Sequence, residues 1–220
     1  MYHLFFNLAG RKPVAVGKTR YIYEHPDNPD WLIKVHRSMI PDQNLGRFKT
    51  WYARMEDRFV YMTGYLRELA VYLDSRYGAP EGIIKHIAPI GGLVDTDLGI
   101  GLVVSAVRDG SGELAPTLGQ LINNGQINEQ RYQKLMHFLE IVLTSKLVLG
   151  DLNLENVVLE QQEDGTEEFV LIDGLGERTF IPVQIFSKRI RQKRKLKFVQ
   201  RVMDRLKSIN AESLKQQPGF

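Results

Sequence analysis

The spacing of apolar and polar residues predicts short strands in the first part of the chain. Lys12–Val16 is apolar and β-branched, Thr19–Glu24 alternates between apolar and polar residues, and Trp31–His36 is apolar again, with turn residues between these segments. Alternation between turns is typical of β-strands. The opening Met1–Leu8 is apolar but lacks the basic start of a secretion signal, so we interpret it as a first strand.

A regular apolar stripe predicts a long helix that opens at Pro41 and Asp42. Its members recur at three- and four-residue steps: Phe48, Trp51, Tyr52, Met55, Phe59, Met62, Leu66, Leu69 and Leu73. This spacing places them on one face of a helix. Beyond Gly78, apolar runs predict two more strands, at Ile83–Val94 and Ile100–Val107.

Helices with one embedded hairpin are predicted for the second half of the chain. Thr117 and Asn128 have the short polar side chains that cap helix N-termini, and an apolar stripe over Tyr132–Leu147 follows the second cap. The segments Val157–Leu159 and Phe169–Ile172 predict two strands that flank a turn. Strands gathered first and helices second favour the α+β class.

Composition narrows this picture by exclusion. A chain of 220 residues, 43% hydrophobic and 25% charged, can bury an ordinary core as one domain or two small lobes. It has no apolar run long enough to span a bilayer. Cysteine is absent, which excludes disulfides and thiolate metal sites, and the five histidines show no ligand spacing. We therefore expect a cytoplasmic protein.

Charge is distributed unevenly along the chain. Residues 187–208 contain ten basic residues and one acid, Asp204. The net charge is +3, so the remainder carries −6, because +3 minus +9 is −6. An apolar stripe predicts a docked helix with its basic residues on the open face. The stripe consists of Leu196, Val199, Met203 and Leu206. The basic residues of this helix either face solvent or contact an anionic surface. No motif predicts sequence-specific binding of nucleic acid.

Three polar side chains have the types and the order that phosphoryl transfer requires. Asp151 and Asn156 stand five residues apart after a helix, and Asp173 follows the next hairpin. Transfer from a nucleotide needs one carboxylate that orients or deprotonates the acceptor hydroxyl. It also needs a carboxylate and an amide oxygen that hold Mg²⁺ against the phosphates. The alternative is that these residues only bond their own backbone in turns.

These positions resemble the signature of protein-kinase-like enzymes. Asp151 with Asn156 is similar to the D-x-x-x-x-N of the kinase catalytic loop, and Asp173 is similar to the magnesium aspartate of D-F-G. Over roughly residues 12–205 the chain resembles the YrbL family, small bacterial kinase-like proteins named for a PhoP regulatory network. The resemblance implies a two-lobed protein-kinase-like α+β fold with a reduced C-terminal lobe.

The same resemblance implies a division of the chain into lobes. Residues 1–107 are expected to form an N-terminal lobe of antiparallel sheet and one long helix. Residues 108–116, which are rich in glycine, are the expected hinge. Residues 117–220 are then a reduced helical lobe that carries the catalytic-loop hairpin and the basic helix 188–207.

Further residues are implied as nucleotide contacts. Lys34 lies on the third strand, where kinases place the lysine that holds the α- and β-phosphates. A helix glutamate should pair with it, and Glu68 fits the resemblance better than its competitor Glu56. Gly17 stands next to Arg20 in the position of the glycine-rich phosphate loop. The ordinary alternatives are an exposed strand lysine, a solvated helix acid and a plain basic hairpin.

The resulting expectation is an ATP- and Mg²⁺-dependent phosphotransferase. Only 47 residues follow Asp173, too few for a peptide platform, so a small-molecule or lipid-linked hydroxyl is the expected acceptor. The glycine loop is sparse, and Asp173-Gly174-Leu175 replaces D-F-G. The alternative is therefore a pseudokinase-like module that binds nucleotide or an anionic partner without catalysis.

Overall fold

The chain divides into two compact units. The computed structural model describes residues 5–17, 19–37, 64–78, 82–162, 164–176, 184 and 187–215, with side chains as far as residue 209. The first unit comprises residues 1–70 and 88–106, and the second comprises residues 71–87 and 107–220. No helix in the described ranges is both long enough and apolar enough to cross a bilayer.

A six-stranded sheet makes up most of the first unit. Its spatial order is β1 (Phe5–Phe6), β5 (Ile90–Thr96), β6 (Gly99–Ser105), β4 (Trp31–His36), β3 (Arg20–Glu24) and β2 (Ala15–Val16). Neighbours are antiparallel except β1, which runs parallel to β5. The expected purely antiparallel sheet is wrong at this edge. There the Asp97 carboxylate accepts the N–H groups of Leu8 and Ala9 at 2.7 and 2.9 Å and holds the incoming chain beside β5.

The two faces of this sheet carry separate apolar clusters. One contains Phe6, Leu8, Tyr23, Ile33, Val35 and Val103, and the other contains Leu32, Tyr65, Leu102, Val104 and Ala106. Successive side chains of a strand point to opposite faces, so Ile33 and Val35 lie on the first face while Leu32 and Lys34 share the second. Tyr65 belongs to helix α1, helical over residues 64–73, which therefore lies on the same face as Lys34.

The middle of the chain departs in part from the sequence prediction. The predicted helix up to position 63 lies outside the described residues, and its last part, residues 64–73, is helical as predicted. Ile83–His86 form a 3₁₀ turn instead of a strand, and the strand begins only at Ile90. Ile83 and His86, three residues apart, are both buried, and Nδ1 of His86 is bonded to the carbonyl of Phe169 at 2.8 Å. A short apolar run fits either state, and here burial on one side selects the helical turn.

The second unit contains the predicted helices and hairpin. Its elements are α2 (Leu118–Asn123), α3 (Glu129–Thr144), β7 (Val157–Gln161), β8 (Glu167–Leu171) and α4 (Lys188–Lys215). Both predicted caps are confirmed. Thr117 Oγ1 accepts the N–H of Gln120, whose side chain accepts the N–H of Thr117, and Asn128 Oδ1 accepts the N–H of Arg131. Each cap satisfies an N–H that the first helical turn leaves without a partner.

Helix α4 docks through a face that overlaps the predicted one only in part, since Val199, Met203 and Leu206 of the predicted stripe are half-buried. Phe198 and Val202 are buried, whereas Leu196, a member of the predicted stripe, is 53% exposed. Lys195 is only 1% exposed, and its ammonium donates to the carbonyl oxygen of Ser145 at 2.7 Å and to its hydroxyl at 3.0 Å. The expectation that the basic residues lie on the open face is therefore wrong for Lys195. Its charge satisfies the carbonyl end of α3, which is the negative end of the helix dipole.

A two-point ion pair links the start of α3 to the start of β8, and it provides a pH-dependent test of the fold. Arg131 donates to the carboxylate of Glu167 at 2.9 and 2.6 Å, and these bonds hold the pKa of Glu167 below its usual value. A lowered carboxylate pKa stabilises the fold above the unfolded pKa, and the contribution is lost as pH falls through the folded pKa. We expect Glu167→Gln to cost about 1 kcal/mol near neutral pH, because both partners are partly solvated.

The measurement is thermal unfolding of wild type and Glu167→Gln in steps from neutral to acid pH. The difference in melting temperature should shrink as the pH falls through the acid range, because wild type then loses the same charge. The exposed Glu113→Gln is the control and should follow wild type. A difference between wild type and Glu167→Gln that stays constant over the whole range contradicts the prediction.

Candidate functional site

The predicted catalytic loop is a turn closed by side-chain bonds in the second unit. Asn153 Oδ1 accepts the N–H groups of Glu155 and Asn156 at 2.9 and 3.0 Å and caps the single 3₁₀ turn Leu154–Asn156. The Asn156 Nδ2 donates to the carbonyl oxygen of Asp151 at 2.8 Å. Because these bonds span the loop, Asp151 and Asn156 are held at a fixed separation.

The chain after β8 returns alongside this loop. The N–H of Gly150 donates to the carbonyl of Gly174 at 2.9 Å, and the N–H of Gly176 donates to the carbonyl of Val148 at 3.0 Å. Gly174 has a φ of 88°, and a Cβ built on it would overlap the carbonyl oxygen of Asp151. Only glycine accommodates both the left-handed backbone and this close approach. The contact places Asp173, the residue before Gly174, next to the loop.

The structure thus brings Asp151, Asn156 and Asp173 together at one edge of the second unit. The Asp173 carboxylate accepts the N–H of Gly174 at 2.6 Å, and the N–H of Ile172 donates to the carbonyl of Asn156 at 3.0 Å. All three predicted side chains are half-buried. The alternative of local backbone bonding holds for Asn153, for one end of Asn156 and for one oxygen of Asp173. The carbonyl end of the Asn156 amide is the end suited to a cation.

The donor set at this edge suits a hard cation. It consists of two carboxylates and one amide oxygen, and Mg²⁺ binds such oxygens while it keeps several waters. Among the described residues, no group of three or more His, Cys, Asp and Glu side chains is arranged to hold a metal. A metal at this edge would therefore depend on Asp173 and Asn156 together with a ligand such as a nucleotide phosphate.

Residues of two helices form hydrogen bonds with the loop from outside, and these contacts were not predicted from the sequence. Thr117 Oγ1, at the start of α2, donates to the carboxylate of Glu155 at 2.8 Å. Arg201 of α4 donates to the carbonyl of Leu152 at 3.3 Å. The signal for them lies in residues that the kinase signature leaves unspecified, so the motif alone could not reveal them.

Lys34, the predicted phosphate ligand, is buried in the first unit. It is 4% exposed and lies on β4 opposite Ile22 of β3 and Leu102 of β6. Its carbonyl oxygen accepts the hydroxyl hydrogen of Tyr65 at 3.0 Å. Because Lys34 is buried, the alternative of an exposed strand lysine is excluded. Lysine is rarely buried unless it is paired. The contact of Lys34 with nucleotide phosphates stays a prediction.

Glu68 contacts a different cation from the one predicted. Arg20 donates to both of its oxygens, at 2.9 and 2.5 Å, and the two side chains are 13% and 9% exposed. The Arg20 guanidinium also lies 4.8 Å from the centre of the Tyr65 ring. Arg20, predicted to face phosphate, therefore directs two of its nitrogens to Glu68. The pairing of Glu68 with Lys34 stays a prediction, and the competing Glu56 lies outside the described residues.

Gly17 closes a hairpin in the same unit. Its N–H donates to the carbonyl of Arg20 at 2.8 Å, between β2 and β3. A phosphate loop offers backbone N–H groups to its ligand. Here the hydrogen bond of the Gly17 N–H stays within the hairpin, which is the arrangement that the plain-hairpin alternative describes.

The fold and the site define a mixed α+β protein with a six-stranded sheet and a glycine-backed Asp-Asn-Asp edge. The family described as "PhoP regulatory network protein YrbL" matches residues 6–207, and the chain belongs to this family. It is similar to "Uncharacterized protein YrbL" of Escherichia coli (strain K12), with 25% identity over 186 residues, which is 82% of this chain and 78% of the relative. A relative of the same name from Shigella flexneri gives the same values.

These comparisons confirm the predicted resemblance to the YrbL family. The family description refers to a regulatory network, and the names of the relatives state no reaction. The kinase-like superfamily, the two-lobed kinase fold with its hinge, and the bound nucleotide stay predictions.

A double-mutant cycle tests the unexpected pair of Arg20 and Glu68. Removing one partner of a buried ion pair leaves an uncompensated charge, so Arg20→Met alone and Glu68→Leu alone should each destabilise the fold by about 3 kcal/mol. Arg20→Met with Glu68→Leu together should cost less than the sum of the two single changes, because the residues are coupled. Urea unfolding gives the free energies, with the exposed Arg11→Ala as control. Strictly additive costs would show that the pair does not act as a unit.

Proposed function

We propose that this protein is an ATP- and Mg²⁺-dependent, kinase-like phosphotransferase that acts on a small-molecule or lipid-linked hydroxyl. The observation that carries the proposal is the convergence of Asp151, Asn156 and Asp173 through the bonds around Gly174. Side chains scattered along the sequence meet at one edge in the order that phosphoryl transfer needs. Local turn formation alone does not require that Asp173 return to the loop of Asp151.

In this proposal each residue of the edge has one task. Asp151 accepts a hydrogen bond from the acceptor hydroxyl and takes its proton. The acceptor oxygen forms a bond to the γ-phosphorus, and the bond from that phosphorus to the bridging oxygen of ADP breaks. Asp173 and the Asn156 amide oxygen would hold Mg²⁺, which when bound supplies positive charge to the phosphates. Positioning and charge stabilisation contribute most of the rate.

The first unit contributes the proposed nucleotide contacts. Lys34 holds the α- and β-phosphates, and Glu68 fixes the position of this lysine. The Arg20–Glu68 bonds hold the Glu68 carboxylate in one orientation. Gly17 and Arg20 contact phosphate in this proposal only if the hairpin bond and the ion pair rearrange.

The proposed acceptor is a small-molecule or lipid-linked hydroxyl. Among the described residues after Asp173, helix α4 (Lys188–Lys215) docks on the rest of the second unit through Phe198 and Val202. A compact hydroxyl substrate, free or carried by a lipid, needs only the Asp151 carboxylate and the phosphates beside it, and no separate platform for a peptide chain.

The second candidate is a pseudokinase-like module that binds nucleotide or an anionic partner without transfer. Two observations favour it. The N–H of Gly17 is bonded within its hairpin, and Arg20 is bonded to Glu68, so both predicted phosphate donors have partners in the fold. The two candidates share the magnesium edge and differ in turnover, and therefore binding and transfer need separate experiments.

Binding is tested first, by thermal unfolding with Mg-ATP. A ligand present at about a hundred times its dissociation constant adds about 2.7 kcal/mol, which raises the melting temperature by roughly 5–11 °C in a chain of this size. Asp173→Asn should remove the magnesium-dependent part of this rise, because the amide cannot replace the anionic ligand. The exposed Asp27→Asn is the matched control and should respond as wild type does. A wild-type melting temperature that does not respond to millimolar Mg-ATP would refute the phosphotransferase, and would leave of the second candidate only a module that binds an anionic partner.

Transfer is tested with Asp151→Asn. The amide keeps the volume and can still hydrogen-bond, but it cannot take the proton, so turnover should fall by about 10²–10⁴ while nucleotide binding persists. The assay follows the γ-phosphate of labelled ATP into fractions of a cell extract, with Asp27→Asn as control. Labelling of protein bands alone would contradict the proposed acceptor class. Equal labelling by wild type, Asp151→Asn and Asp173→Asn would favour the binding module.

A further inference from the structure

Eight of the basic residues of α4 fall into two sets of four. Members of the first set bond the fold itself. Arg191 donates to the carbonyl of Gln184 at 3.1 Å, Lys195 to Ser145, Arg201 to the carbonyl of Leu152, and Arg205 to the side-chain oxygen of Asn123 at 2.7 Å. These residues hold α4 in place. The side chains of this set therefore have hydrogen-bond partners within the protein.

The second set faces solvent, and we call it the basic row. It consists of Lys188, Arg189, Lys193 and Lys197, all exposed. The last three recur every fourth residue and therefore line one side of the helix. Within the part of the chain that the structure describes, no hydrogen bond or ion pair engages a side chain of the basic row. The one acid within residues 187–208, Asp204, accepts a hydrogen bond from Gln200 at 2.7 Å.

Two apolar side chains flank the basic row. Ile190 is 40% exposed and Leu196 is 53% exposed, although the neighbouring Phe198 and Val202 are buried. Ile190 and Leu196 lie on the same side of α4 as Arg189, Lys193 and Lys197, because a helix turns by about 100° per residue. The combination of both kinds of side chain on one side of a helix is typical of helices that lie on a lipid surface.

We propose that the basic row, together with Ile190 and Leu196, binds the surface of bilayers that contain anionic lipids. The cations meet the negative headgroups, and the two apolar side chains enter the boundary between headgroups and acyl chains. Nucleic acid fits less well. Binding of single strands commonly uses exposed aromatic rings, and the one aromatic residue of α4, Phe198, is buried.

The expected strength follows from the number of contacts. Each basic side chain near an anionic surface contributes about fivefold in affinity, so the four together contribute several-hundred-fold. Binding of this size is reversible and depends on salt. It requires no unfolding, because Lys195, Phe198 and Val202 keep the opposite face of α4 docked. The inference is independent of the proposed phosphotransferase activity.

The experiment is flotation of the full chain with two kinds of vesicle. One contains phosphatidylcholine with about one third phosphatidylglycerol, and the other contains phosphatidylcholine alone. Wild type should float only with the anionic vesicles, and raising the salt from about 50 mM to about 500 mM should release it, because the charges are then screened. Lys188, Arg189, Lys193 and Lys197 all changed to Gln should bind several-hundred-fold more weakly.

Two matched variants make the test specific. Arg11, Lys12, Lys85 and Lys146 all changed to Gln lose the same charge from exposed positions elsewhere and should bind the vesicles as wild type does. Ile190→Gln with Leu196→Gln keeps the charge and should weaken vesicle binding while leaving binding to a DNA duplex unchanged. Melting temperatures of all variants should match wild type, since every changed side chain is exposed.

Three results would overturn the proposal. Wild type that fails to float with anionic vesicles at low salt removes its basis. Equal losses of vesicle binding in the basic-row variant and in its matched control would show that net charge alone, and not the basic row, determines binding. A DNA duplex that binds more tightly than the vesicles, with no effect of the Ile190 and Leu196 changes on either ligand, would assign the surface to nucleic acid.

Discussion

The close approach of Gly174 to the carbonyl of Asp151 is the constraint on which the candidate site depends. Only a residue without a Cβ allows the chain after β8 to pass this carbonyl, and the bond from Gly150 to the Gly174 carbonyl then fixes the separation. The Asn156 amide bonds the same Asp151 carbonyl from within the loop. One backbone oxygen therefore sets the positions of the loop and of Asp173.

Features encoded by neighbouring residues could be predicted from the sequence. The caps at Thr117 and Asn128 depend on a side chain and an N–H three residues later, so their chemistry is local. The strand Trp31–His36 has the predicted bounds, because turn residues precede it and its apolar run is short. The proximity of Asp173 to Asp151 and Asn156 could be predicted because these residues stand before and after the same hairpin, whose two ends lie side by side.

Features that depend on distant packing could not be predicted. Arg20 and Glu68 are 48 positions apart, and nothing local distinguishes Arg20 from Lys34 as the partner of the glutamate. The apolar residues of α4 fit two overlapping stripes, and contact with the rest of the second unit selects Phe198 and Val202 over Leu196. The run at Ile83 was ambiguous because an apolar run as short as Ile83-Ile84 fits a strand and a 3₁₀ turn equally well.

Helix α4 places lysines of opposite chemical accessibility next to each other. Lys193 and Lys197 are open to solvent, whereas Lys195, between them, is enclosed with its ammonium on the oxygens of Ser145. An amine-reactive reagent, which needs an accessible and deprotonated amine, can modify the two outer lysines of the folded chain and is shielded from the middle one. The acylation pattern of one short peptide from this helix therefore reports whether α4 is seated on α3, with the flanking lysines as internal references.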